Sequence, residues 1–432
     1  MIRPPSTLDR VIVPLVAATV AATGWIAGGH GFVNGDAAAY AAQGWAGDLG
    51  QRSVHLGWTG LAALLAPLAG DALPAWLDRA NALFAASITV MVAVWAGWRG
   101  GRPWVGAVGA AAAVLAWAPF GEVDVPWVAL TLAAIVLAGP WAAAGAFALA
   151  VAFSPVALLA APWAVLARRE LEADEQIIPS VRPIAAGGAV AVAVLTLATR
   201  GGWWIGDRGL LSTPVPDVLR AAQAWAGNLP MGLVPLAAVA AFVGREGGLL
   251  ARPASRDVLL ACLPLLAAPA DTPAFLPLGV TLAMSAAAGW VLAPVEGRPL
   301  AAVVLVVQLG LSALRMGAFT IRVAEQDTVS RAVTASLGPD DAMVAPFTWG
   351  ARVSVLAARD PYALRWRPIG APLRDQGPRW CARPVDRVAV LPPGTRLGAG
   401  SADDHGVWWT RGDDPVFAAW CAPTDAPPAP GG

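Results

Sequence analysis

Long apolar runs broken by arginine-bearing turns fill roughly the first three quarters of the chain. They fall near 11–29, 81–98, 104–118, 126–139, 140–152, 155–167, 184–199, 230–244, 257–270, 274–293 and 299–318. A bilayer-crossing helix wants about 20 apolar residues. Several runs are shorter, so the two flanking Pro155 are expected to form half-helices or a helix pair. The pattern predicts an all-α polytopic membrane domain over 1–320, with about eleven transmembrane helices. Arg99, Arg102, Arg168, Arg169, Arg245, Arg252, Arg256 and Arg298 all fall on one side of these runs. By the positive-inside rule that side is the cytoplasm, which puts the N-terminus inside and the tail outside.

The stretch His30–Asn81 departs from the pattern. It lies in the first outer loop, over 30–80, and is too long and too regular for a plain connection. Asp36, Tyr40 and Gln43 recur at i, i+4 and i+7, one polar helix stripe. Leu61, Leu64, Leu65 and Leu68 recur at i, i+3, i+4 and i+7, the apolar stripe of a second helix that Pro67 should kink or end. Arg52 and His55 sit between the two, and Arg79 opens the next apolar run. Two amphipathic helices are expected on the membrane face, holding an acid, a histidine and an arginine over the bundle.

Beyond residue 320 the pattern shortens to runs such as Arg387–Leu391 and Gly406–Thr410, punctuated by Gly and Pro. These predict a small extracytoplasmic α/β or mostly β domain over 321–425. The Pro/Gly/Ala end at 426–432 reads as disordered. Cys381 and Cys421 lie in this tail, and an oxidising compartment makes a disulfide between them the natural expectation. Cys262 is expected as a free thiol within a span. A metal site using His405 would need more ligands at better spacing.

Composition sharpens this picture at two points. Charged residues make up only 13% of the chain and mean hydropathy is +0.59, against about 25% charged in soluble domains. Net charge is +0, so the chain lacks the basic footprint of a nucleic-acid binder. Every basic residue is arginine, which with the alanine excess suggests a GC-rich bacterial genome and a home in the bacterial cytoplasmic membrane.

Several segments, in order, resemble a known family. NGDAAAY carries an acid at the start of a first outer-loop helix, RSVHLGWTGLAALLAPLAG a histidine before an apolar helix, and LDRANALFAASITVMVAVW an arginine opening a span. GEVDVPWVALTLAAI places acids before a span in the second outer loop, and AFALAVAFSPVALLAAPWAVLARR a proline kink. That order and sidedness is similar to the GT-C glycosyltransferases, in particular the aminoarabinose-transferase and protein-mannosyltransferase-like branch. The likeness covers 1–170, and the rest by topology alone. The chain departs from the family pattern in having Ser154 where a lysine precedes the kink proline, and Leu56-Gly57-Trp58 where a proline-rich stretch follows the histidine.

The resemblance implies transfer of a sugar from a polyprenyl-phosphate donor to a glycan, lipid or protein acceptor at the outer membrane face. Such chemistry needs a carboxylate for the acceptor's proton and cations or a divalent metal for the leaving phosphate. Asp36 is the candidate base, with a helix N-cap as its plain structural alternative. Glu122 and Asp124 are the further catalytic acids, Asp124 also the candidate metal ligand, against a solvated loop that starts a helix. Tyr40, Gln43, Arg52, His55, Arg79, Arg200 and Arg208 are the candidate substrate-binding residues. Two rival functions stay open: a transporter or flippase for a lipid-linked sugar, and an inactive GT-C-like scaffold in cell-envelope assembly. A carrier would want charged side chains within its spans, and the runs hold almost none.

Overall fold

The computed structural model describes residues 6–30, 35–47, 55–117, 125–171, 178–199, 233–243, 252–266, 275–360, 364, 366–367 and 384–415. The chain runs through α1 (Thr7–Gly28), α2 (Gly35–Ala46), α3 (Leu56–Ala69), α4 (Leu73–Trp98), α5 (Pro103–Trp117), α6 (Val125–Val136) and α7 (Pro140–Phe153). A 3-10 turn at Pro155–Ala160 leads into α8 (Ala161–Arg169) and α9 (Ile178–Thr199). α10 (Val234–Val243), α11 (Arg252–Ala261), α12 (Leu276–Gly289) and the 39-residue α13 (Arg298–Ser336) complete the bundle.

Four helical stretches among the described residues are long and apolar enough to cross a membrane: Thr7–Gly28, Leu56–Trp98, Val181–Ala198 and Val295–Ser336. α5, α6, α7, α10 and α12 are apolar but shorter. Apolar side chains cover both the inside and the outside of the bundle. On α13, Leu300, Val303, Val307, Leu311 and Leu314 are exposed along one stripe, while Leu305 and Met316 are buried. A helix that is apolar all round wants lipid on its outer face, so the chain is a multi-pass membrane protein.

The arginines that set the sidedness also close helix ends. Arg168, buried, donates to the carbonyls of Ala134 (2.8 Å) and Leu137 (2.6 Å) at the end of α6. Arg298 donates to Val291 (3.0 Å) and Ala293 (2.8 Å) just past α12. The last carbonyls of a helix lack partners and carry its negative dipole, so a guanidinium there is doubly favoured. At the start of α1, Ser6 and Asp9 form a reciprocal capping box. The second Asp9 oxygen accepts the Trp104 N–H at 3.1 Å, which holds the starts of α1 and α5 at one end of the bundle.

α13 runs through residue 320 without a break and stops at Ser336. The tail then folds into β1 (Ala342–Val344), α14 (Phe347–Ala358), β2 (Trp366–Arg367), β3 (Arg387–Val390), β4 (Gly400–Ala402) and β5 (Trp408–Arg411). The sheet order is β2-β1-β3-β5-β4, with β1 parallel to β2 and β3, and β5 antiparallel to β3 and β4. Of the two expectations for the tail, α/β is the one the chain adopts. Met343, Ala389 and Val407 pack with Trp349 and Val353 of α14 and Val333 of α13. Val344, Val388 and Val390 fill the other face. Both faces of the parallel part are apolar because both are covered.

Candidate functional site

The two expected helices form: α2 packs on α3, α4 and α14, and α3 reaches α7 next to its break. α2 and α3 approach closely because Gly44 faces Ala62, where an added Cβ would come within 2.5 Å of the alanine Cβ. Thr59, in the second turn of α3, donates to Gln43 Oε1 across this contact at 3.1 Å. Gln43 is thus engaged in joining the two helices. Pro67 is held inside the last turn of α3, which ends two residues later at Ala69, where Gly70 takes a positive φ (51°) that breaks the helical path.

The helix break explains how His55 is held. Pro155 has no N–H and disfavours helical geometry at Ser154, which is extended (φ −152°, ψ 125°). Two residues after the proline, the Ala157 N–H turns back to the Ser154 carbonyl at 3.0 Å. The Phe153 carbonyl is thereby released from the helix ladder, and His55 Nδ1 lies 2.6 Å from it. A carbonyl only accepts, so Nδ1 carries the proton. The ring also packs edge-on against Tyr40, centroids 5.4 Å apart. Gly57 lets α3 approach this close: a Cβ there would fall 2.6 Å from the Phe153 ring and 2.9 Å from its backbone nitrogen. Ser154 is buried beside the break, its hydroxyl without a hydrogen-bond partner among the described residues.

Tyr40, Gln43 and His55 are therefore brought together. Asp36 belongs to the same helix, one turn before Tyr40. Arg79 is placed differently from its expected helix start. α4 begins at Leu73 with Pro74 in its first turn, where proline is tolerated, so Arg79 lies inside the helix. Its guanidinium sits 4.9 Å from the Trp25 ring centroid, and its buried Nε has no hydrogen-bond partner among the described residues. Arg52, Glu122, Asp124, Arg200, Arg208, Cys381 and Cys421 lie outside the described residues. His405 is described: its N–H donates to Asp403 Oδ1 at 2.9 Å in an exposed turn. Among the described residues, no cluster of three or more His, Cys, Asp or Glu is placed to hold a metal.

A second charged group, absent from the sequence reading, sits near the end of α1. Arg352 of α14 is 2% exposed, pairs with Asp327 of α13 at 3.0 Å and donates to the His30 carbonyl at 2.7 Å. Burial pushes the Arg352 pKa down, and the charge of Asp327, its hydrogen bond and the charge of Asp78 work against that. Arg359, at the end of α14, pairs with Asp71 and lies over Trp45, whose indole N–H donates to the Gly70 carbonyl at 3.0 Å. The C-terminal domain is thus fastened onto the helices that carry the candidate site. The one sequence signal for this group was the i, i+4 spacing of Asp327 and Arg331, which pair at 3.0 Å.

No family model matches the chain, and no curated protein matches it in sequence. Among solved structures the chain is similar to the crystal structure of ArnT from Cupriavidus metallidurans in the apo state, at 12% identity and a TM-score of 0.45, over 95% of this chain and 99% of that one.

Proposed function

We propose that the chain is an integral-membrane glycosyltransferase that moves a sugar from a polyprenyl-phosphate donor to an acceptor on the outer face of the cytoplasmic membrane. The observation that supports this best is the anchoring of His55 on the carbonyl released by the Pro155 break, beside Tyr40. Segments far apart in the chain meet there, and they are the ones in which the resemblance to the GT-C glycosyltransferases resides. In this reading Asp36 takes the acceptor's proton, and Glu122 and Asp124 supply further carboxylates, Asp124 as ligand of any divalent metal. Arg52, Arg79, Arg200 and Arg208 hold the donor phosphate, a role suited to guanidinium groups. His55 hydrogen-bonds the donor phosphate or Asp36, with Tyr40 and Gln43 setting the helix that carries Asp36.

The test is transfer from a polyprenyl-phosphate-linked sugar by the purified protein in nanodiscs. Asp36→Asn keeps any capping role, because asparagine caps as well as aspartate, but removes the basic carboxylate. Its rate is expected to fall by about 10²–10⁴-fold, the usual contribution of a general base. Wild-type transfer by Asp36→Asn sinks the catalytic assignment. An inactive scaffold is the second reading, favoured by Ser154 at the position of the family's lysine. It predicts no transfer by the wild-type protein either.

A further inference from the structure

The wing of the C-terminal sheet formed by β3, β5 and β4 has a groove of about 720 Å³ that no part of the proposed transfer chemistry uses. Its walls include Ser336 at the end of α13, together with Arg387, Ser401, Asp403, Trp409 and Arg411. The register decides which side chains share this face. Arg387 is the direct cross-strand partner of Arg411, Ala389 of Trp409, and Ser401 of Trp409. Alternation along a strand then sends Arg387, Arg411, Trp409 and Ser401 to one side.

Two features of this face are unusual for a mere sheet surface. Trp409 is locked: its indole N–H donates to Asp403 Oδ2 at 2.8 Å, and the Arg387 guanidinium lies 4.8 Å from its ring centroid. Asp403 is in turn held by the N–H groups of His405 (2.9 Å) and Val407 (3.0 Å), so its carboxylate is committed to fixing the tryptophan. Second, two arginines are direct cross-strand neighbours, a pairing of like charges that costs stability unless negative charge intervenes. Arg387 is paired on its far side with Asp341 at 2.6 Å, and Arg411 with Asp413 at 2.8 Å. Arg387 gives its Nε and Nη2 to Asp341 and the Ser336 carbonyl, which leaves Nη1 for a ligand, while Arg411, 83% exposed, gives Nη2 to Asp413. β4 itself has only three residues, a length that protects a sheet edge from pairing with another strand.

We propose that this groove binds an anionic saccharide, its ring against Trp409 and its carboxylate or phosphate between Arg387 and Arg411. The part of the Trp409 ring that lines the groove beside Arg387 offers a rigid apolar surface to a sugar's C–H groups, while Ser401 and the exposed β4 backbone meet its hydroxyls. The paired guanidinium groups select the charge. A volume near 720 Å³ suits one or two sugar units, within the roughly 300–1,000 Å³ of small-molecule sites. The proposal stands whether or not the membrane domain transfers sugar.

Saturation-transfer NMR and calorimetry on the full chain in nanodiscs test it with glucuronic acid, glucose 6-phosphate, glucose and inorganic phosphate as probes. At least one charged sugar is expected to bind with a Kd on the order of 1 mM, and glucose at least about tenfold more weakly. Which charged sugar binds separates a carboxylate-bearing ligand from a phosphorylated one. Arg411→Gln removes an exposed charge without touching the sheet core. It is expected to weaken the charged sugar by about 10-fold or more, the value of a charge-assisted hydrogen bond. Trp409→Phe, which keeps an aromatic plate but loses the indole N–H, should weaken it less. Equal binding of inorganic phosphate and glucose 6-phosphate would overturn the saccharide assignment in favour of a bare anion site. Failure of both charged sugars to bind, or their undiminished binding to Arg411→Gln, would overturn the site altogether.

Discussion

At the scale of single residues, His55 is where sequence and structure meet most closely. Its position between two amphipathic helices is visible in the chain, but its fixed tautomer depends on one carbonyl 98 positions away. A pair of substitutions separates its structural and chemical roles. His55→Phe leaves the Phe153 carbonyl without its donor, a loss of about 1–3 kcal/mol that a melting scan in detergent would read as a lower transition temperature. His55→Gln restores a donor of similar reach, so its melting temperature is expected to return most of the way. If Nε2 takes part in transfer, His55→Gln nevertheless stays slow. Recovery of both stability and rate by the glutamine variant would make His55 a structural anchor only. The sequence shows why a histidine here is notable, but the bond to Phe153 is a tertiary event, created only when Gly57 lets α3 close on the helix break.

Among elements, the break between α7 and α8 does the most to shape the site. Its cause is local and legible: a proline that cannot donate and that bends the residue before it. Its consequence, a carbonyl turned toward another helix, is not. Pro155→Ala is expected to restore the N–H and let the helix continue through Ser154. The Phe153 carbonyl would then be drawn back into the ladder and His55 released. Hydrogen exchange measured by mass spectrometry should show slower exchange across 152–158 and faster exchange around 55–59. An unchanged exchange pattern at 55–59 would mean that His55 is held by something other than the break. The same distinction applies to α13. Its apolar stripes announce a span, but the continuation to Ser336 is held by the burial of Val323 and Val333 and by the Asp327–Arg331 pair, in a segment that hydropathy alone reads as tail.

For the whole molecule, the decisive contact is the docking of the C-terminal domain through Arg352. A buried guanidinium that loses its partner costs about 3–5 kcal/mol, whereas replacing the pair by apolar groups is often tolerated. Asp327→Asn is therefore expected to loosen the domain more than the double change Asp327→Leu with Arg352→Met. Limited proteolysis of the membrane-embedded protein reads this as faster release of the domain in the single variant. Equal release rates in the two would show that the charge pair does not hold the domain. Because α14 also touches the turn at Asp71 and the ring of Trp45, loosening it should disturb α2, the helix that carries Asp36.

Hydrophobic runs and proline positions determined the membrane bundle, the two short helices between α1 and α4 and the broken helix, because burial in lipid and the loss of an N–H act through local composition. Strand-like runs in the tail were enough for a small sheet domain, though not for its parallel β1 and β3, which need a crossover helix between them. Long-range partnership was decided only in three dimensions. Nothing in the chain marks Arg352 for Asp327 and the His30 carbonyl, or Arg387 for the face of Trp409, because an exposed arginine and a buried one are written with the same letter. The difference is made by the desolvation that folding imposes, and by whichever acceptor the packed helices and strands bring within reach.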